Sequence, residues 1–216
     1  MQHSGTTLLE NLEGAARITT SLLTPMLRTR RAQWGATQPE CDATYPGDDL
    51  IPHPIWSFTH AITIDAQAAD VWQWIIQLGQ GRGGFYSYQK LENLAQCHII
   101  NAAHILPEYQ TLNLGDKIHI APTAPPFHVH QVADAKTLVL FSHVPGAEIP
   151  PSEPISLWSF HLMPVGDNAV RLIERGRYAY PSTPMMKLMM GPLFLEPVSF
   201  EMARKMLLGI KARAEQ

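Results

Sequence analysis

His60 and Glu174 are the first side chains in this chain that could do chemistry, because each sits in phase with the apolar residues of a strand pattern. Phe58, His60, Ile62 and Ile64 alternate with Thr59, Ala61 and Thr63, the period of a half-buried strand. Glu174 shares the phase of Val170 and Leu172, while Arg175 and Arg177 next to it alternate to the opposite face. A buried carboxylate must be paired or neutralised. Two readings follow. The pair is a polar anchor or general acid–base couple inside an apolar cavity, or Glu174 turns outward at a bulge or forms a structural ion pair. The second is the plainer expectation.

The other candidates are weaker in kind. Gly79-Gln80-Gly81-Arg82-Gly83-Gly84 follows a helix pattern, not a strand, so it does not meet a dinucleotide fingerprint, and no Gly-Lys-Ser/Thr completes a phosphate loop. It reads either as a connector whose glycines permit positive φ, or as a mobile loop at a cavity mouth with Arg82 placed to meet a ligand carboxylate. His128 and His130 share one face of a strand, but no third or fourth ligand stands nearby in sequence. They are assigned to the surface, and no metal is expected. Neither Cys41 nor Cys97 sits in a catalytic context, and no Gly-x-Ser-x-Gly elbow is present. No catalytic nucleophile and no cofactor is therefore expected.

The elements that must position these groups can be read from periodicity. After the first strand, Val71, Trp74, Ile75 and Leu78 form a helical stripe, with Asp65 available to cap it and Gly79 to stop it. A second short helix is expected over Ser87–Cys97, with Ser87 as cap and Leu91, Leu94 and Ala95 inward. Short strands follow in KIHIAP, FHVHQV, LVLFSHV, SLWSFHLMPV and AVRLIERGRYAY, the last two joined by a turn at Gly166-Asp167-Asn168. A long helix closes the chain over about 191–214, with Phe194, Leu195, Val198, Met202, Met206 and Ile210 on one broad face. This order predicts an α+β fold: an antiparallel sheet curved around a single long helix, with a hollow between them.

Three segments are expected along the chain: an N-terminal amphipathic helix (1–34), a Pro-rich arm (35–57) and the main domain (58–216). In the first, Leu8, Leu12, Ala15, Ala16, Thr19, Leu22, Leu23 and Met26 fall at helical spacing, with Arg28, Arg30 and Arg31 at the end. It either packs on its own domain or lies on an anionic membrane. Packing is favoured, because Glu10 and Glu13 weaken an electrostatic anchor. Sixteen basic against nineteen acidic residues leave a charge of −3, so nucleic acid is not an expected partner. No apolar run reaches the roughly 20 residues of a membrane span. Two distant cysteines suit reduced thiols, and a cytoplasmic protein is expected, with peripheral membrane contact as the alternative.

SFTHAITIDAQAADVWQWIIQLGQGRGGFYSYQKLEN, NAAHILPEYQTLNLGDKI, SLWSFHL and EPVSFEMARKMLLGIKARAE resemble the SRPBCC superfamily of helix-grip domains, from about Trp34 to the C-terminus. That group includes START-type lipid-transfer domains, pollen-allergen-type proteins and polyketide aromatase/cyclases. The WGAT…PGDDL arm is similar to that of a bacterial branch of the group. The resemblance implies a helix-grip fold and a cavity for a small hydrophobic molecule, lipid-, polyketide- or isoprenoid-like. It leaves activity open, since carriers and enzymes share the fold. The expected walls are Tyr86, Tyr88, Trp158, Phe160, Met189, Phe194 and Met202, with Arg82, His60 and Glu174 as polar contacts. A non-catalytic carrier is the first expectation. A cofactor-independent cyclase or dehydratase using His60 and Glu174 is the second, and an adaptor docking through the N-terminal helix or the segment PMMKLMMGPLF is the third.

Overall fold

The structure is a computed structural model, and it describes residues 3–216, with side chains from Leu9 onward. The described residues form one antiparallel sheet of six strands: β1 (Trp56–Ile64), β2 (Lys117–Ile118), β3 (Phe127–Ala133), β4 (Thr137–Phe141), β5 (Ile155–Val165) and β6 (Ala169–Ala179). Their order is β1-β6-β5-β4-β3-β2. The helices are α1 (His3–Leu23), α2 (Arg28–Ala32), α3 (Gln38–Asp42), α4 (Ala68–Ile76), α5 (Gln89–Leu94), α6 (Pro184–Met189) and α7 (Leu195–Ala214). The sheet curves around α7, so the α+β helix-grip architecture is the observed one.

Register decides which residues share a face. β1 pairs with β6 so that Ile62 opposes Leu172 and Ile64 opposes Val170, and β5 pairs with β6 so that Leu162 opposes Leu172. Directly opposed residues point the same way. This inner face packs Ile64, Phe160, Leu162 and Leu172 against Val71 and Ile75 of α4 and against Met206, Leu207 and Ile210 of α7. Full burial of such a side chain contributes about 1.5–3 kcal/mol.

The Pro-rich arm covers the outer face of the sheet. A capping box between Thr37 and Glu40 starts α3, and Glu40 then takes Arg171 Nε and Nη2 at 2.7 and 2.9 Å. Tyr45 stacks on His161 at 4.8 Å, Asp48 binds Arg175 at 2.7 Å, and Ile51 packs on Val139, Phe141 and Leu157. Gly47 (φ 91°) lies against Val139 where a Cβ would stand 2.6 Å from its side chain. His128 is buried on this outer face, opposite Phe141, and not at the surface as alternation alone implied. A bulge between Val129 and Gln131 turns the strand there.

α1 packs on α7, but through a face the hydrophobic spacing does not mark. Asn11, Gly14 and Ser21 are buried, while Leu12, Leu23 and Met26 are 59%, 74% and 77% exposed. Close approach is the reason. A Cβ on Gly14 would lie 2.8 Å from the Tyr88 ring, and Ser21 donates to the buried Glu201 at 2.6 Å. Leu8 lies outside the described side chains. α4 begins at Ala68 with Gln67 at the N-cap position and no side-chain cap, so Asp65 lies two residues too early to cap it; its N–H donates to Glu215. On α5 it is Glu92, not Leu94, that turns inward, since the buried stripe runs through Tyr88 and Glu92. The closing helix α7 is continuous from Leu195 to Ala214, within a few residues of the expected span, and the separate short helix α6 precedes it.

Candidate functional site

His60 and Glu174 face each other directly across β1 and β6, with Phe160 of β5 opposite Glu174 on the other side. Glu174 Oε2 lies 3.0 Å from His60 Nδ1, and Oε1 accepts from Trp158 Nε1 at 2.8 Å. The two side chains are 2% and 1% exposed. Both carboxylate oxygens are thus engaged, which is what burial of such a group demands. His60 lies flat on Phe58 at 4.3 Å and meets the edge of Phe200 at 5.5 Å. Its face and edge are closed by aromatic carbon, so the pair sits in a low-dielectric setting where its mutual attraction is strong.

Gly176 makes room for this arrangement. It opposes Phe58 on β1 and Trp158 on β5, and a Cβ there would collide with the Phe58 ring. Tyr178, two residues on, stacks on Trp56 at 4.0 Å. Burial, and then the negative charge of Glu174, push its phenol far above the ordinary range, so it stays protonated.

Trp158 joins two apolar clusters. On one side its ring lies within 6.2 Å of Phe85, Phe127 and Phe160. On the other it packs with Trp56, Phe58, Tyr178 and Tyr180 beneath Met186, Met190 and Leu195. This roof is α6, the turn after it and the first residue of α7. Thr183 caps α6 by accepting from the Met186 N–H at 3.2 Å, and Trp56 Nε1 donates to the Met190 carbonyl at 2.8 Å. Met186 and Met190, four apart, face inward. Met185, Leu188, Met189, Leu193 and Phe194 are exposed.

Of the residues expected to form the site, the structure brings together His60, Glu174, Trp158 and Phe160. It places the others elsewhere. Arg82 donates to the carbonyls of Ile76 and Leu78 at 2.8 and 3.2 Å and lies over the Tyr109 ring, which makes the glycine-rich turn a stapled element and occupies the guanidinium. Gly84 (φ 74°) packs so closely that a Cβ would stand 2.5 Å from Asn101 Oδ1. Tyr86 is buried between α4 and α7, donating to the Trp74 carbonyl at 3.0 Å. Tyr88 lies under α1. Met202 accepts from Ser87 at 3.7 Å, and Met189 and Phe194 are 57% and 54% exposed. Trp56, Phe58 and Tyr178 are not among the expected site residues, although Trp56 and Phe58 share the phase of His60 and Tyr178 that of Glu174, and Met186 and Met190 are expected only as part of the segment PMMKLMMGPLF.

The expected hollow between the sheet and α7 is filled at its centre by Phe160, Met206, Leu207 and Ile210. Two cavities lie instead beside the arm. One of about 320 Å³ runs between α2 and β1. Another of about 410 Å³ is bordered by Asp42, Asp48, Asp49, Arg175 and Arg177. Among the described residues no group of three or more His, Cys, Asp or Glu could hold a metal ion, and no helix is long and apolar enough to cross a membrane.

No protein-family model and no curated protein matches the chain. Solved structures resemble it loosely. The Aha1 dimer from Colwellia psychrerythraea is 16% identical at a TM-score of 0.42, covering 74% of this chain and 97% of that one. A hypothetical protein from Helicobacter pylori is 9% identical at 0.45, covering 79% and 95%. CalU16 from Micromonospora echinospora is 13% identical at 0.35, covering 74% and 84%. Likeness at this level assigns no function.

Proposed function

We propose that this domain binds a small, mainly apolar molecule beneath α6, against Trp56, Phe58, Trp158 and Tyr178, with the His60–Glu174–Trp158 unit as the polar contact at its inner end. The observation that carries this reading is the roof: a six-residue helix and its C-cap, whose inward Met186 and Met190 cover an aromatic cluster built over a buried carboxylate. Methionine adapts its shape cheaply, so Met186 and Met190 occupy the space in the empty protein and yield it to a ligand. A ligand that buries the same apolar area recovers the lost contacts at about 25 cal/mol per Å². Because α6 is held by one cap and one tryptophan hydrogen bond, its displacement costs little cooperative structure.

The test is a titration with the neutral fluorescent probe N-phenyl-1-naphthylamine, together with native mass spectrometry of the protein as purified. Saturable binding is expected, weakened about tenfold or more by Trp158→Ala and unchanged by Met163→Ala on the exposed side of β5. Absence of saturable binding would reject the reading. The closeness of His60 to Glu174 favours a second one, a cyclase or dehydratase in which the pair moves a proton. Under it Glu174→Gln abolishes turnover and leaves probe binding nearly intact.

A further inference from the structure

The cavity of about 320 Å³ lies along the free edge of the sheet. β6 pairs with only one side of β1. On the other side Ala61 donates to the Trp34 carbonyl, and the Thr63 carbonyl accepts from Lys211. Ser57 and Thr59 are in the same phase, so their backbone N–H and C=O groups point out of the edge into the cavity. The facing wall is α2, through Arg28, Thr29 and Gln33. No carboxylate lines this space, whereas two arginines do.

Arg175 is buried and rigidly oriented, donating from Nε to Asp48 and from Nη1 to Thr59 Oγ1, both at 2.7 Å. Its Nη2 takes part in neither bond. Asp48 is shared with Arg177 at 3.3 Å. Arg28 stands 3.6 Å from Glu196, whose other oxygen is held by Arg31 at 2.9 Å. Each of these two acids therefore serves two guanidinium groups, and the only charged side chains lining the cavity itself are the two arginines. Of the other acids in this region, Glu40 is bound by Arg171, and Asp42 and Asp49 border the second cavity, which shares Arg175. Two further lining residues, Ala32 and Phe58, also belong to the aromatic cluster under α6. The polar cavity and the methionine-roofed cluster thus share a wall. At the cluster's inner end the Glu174 carboxylate repels any second negative group, so an anionic head fits only on the arginine side.

We propose that the ligand is an anionic amphiphile. Its carboxylate or phosphate head sits on Arg28 and Arg175 in this cavity, and its apolar tail passes Ala32 and Phe58 to lie beneath α6. The tail's place rests on the function proposed above. The head's place rests on the cavity's own residues. Calorimetric titration of dodecanoate, dodecyl phosphate and the neutral dodecanol into the full chain tests it, alongside Arg28→Gln and Arg30→Gln. Arg28 is 45% exposed, so its replacement leaves the fold intact, and Arg30 lies on the same helix without lining the cavity. The two anions are expected to bind about tenfold or more tightly than dodecanol. Arg28→Gln should remove that margin and Arg30→Gln keep it, and the tighter of the two anions identifies the head. Equal affinity for all three ligands, or an anion preference that survives Arg28→Gln, overturns the head site while the apolar reading stands. Failure of all three to bind overturns both.

Discussion

Trp158 spends its single hydrogen-bond donor on Glu174, and its ring bridges the two apolar clusters. Trp158→Phe keeps an aromatic ring but removes that donor together with part of the ring's bulk. One Glu174 oxygen is then buried without a partner, and a loss of about 1–3 kcal/mol is expected in urea unfolding. A second residue-scale prediction concerns pH. Burial pushes the Glu92 carboxyl up from the ordinary 4.5 to about 7, and its Oε2 has no hydrogen-bond partner. The native state therefore holds this proton more tightly than the unfolded chain does, and stability present below pH 4.5 is lost as pH rises through 7. His161 runs the other way. Burial under Tyr45 pushes it down from 6.5 to about 4, so stability present above pH 6.5 is lost as pH falls through 4. The two slopes oppose each other between those limits. Glu92→Gln should unmask the histidine slope, so that melting temperature rises with pH from 4.5 to 6.5 more steeply than in the unsubstituted protein, and no longer falls toward pH 8.

Single elements carry packing constraints that no one residue does. Phe58 lies in the space left by the absent Gly176 side chain, and by stacking on His60 it fixes the ring that meets Glu174. Gly176→Ala forces Phe58 off His60. A destabilisation of about 1–3 kcal/mol is expected from overpacking, read as a lowered denaturation midpoint at unchanged m-value. The phase of β1, β5 and β6 is legible in the sequence, because alternation over nine to eleven residues assigns a face whatever the partner. The same logic fails for α1 and α5. Their buried faces are chosen by Gly14 against Tyr88 and by Ser21 against Glu201, contacts between segments far apart in the chain. It fails for α6 too, where the inward pair is Met186 and Met190 and not the neighbouring Met189 and Phe194, which are left in solvent.

For the whole molecule the arm matters most. Residues of the 37–51 segment neutralise Arg171 and Arg175, stack on His161 and roof Val139 and Leu157. A chain begun at residue 54 would expose the apolar outer-face side chains Val139, Phe141 and Leu157 to water and leave Arg171 and Arg175 without their carboxylate partners. It is expected not to melt cooperatively, and a dispersed amide proton spectrum from that truncation would contradict this account.

Strand phase and element order were set by the sequence alone: they place His60, Glu174 and Trp158 on one face and lay the strands before a closing helix, because periodicity is a local property of a chain. Only the tertiary structure decided that His60 meets Glu174, that the centre beneath α7 is filled and that the open space lies beside two arginines. Those outcomes depend on register, close approach and the small difference between the volume enclosed and the volume of the side chains inside it.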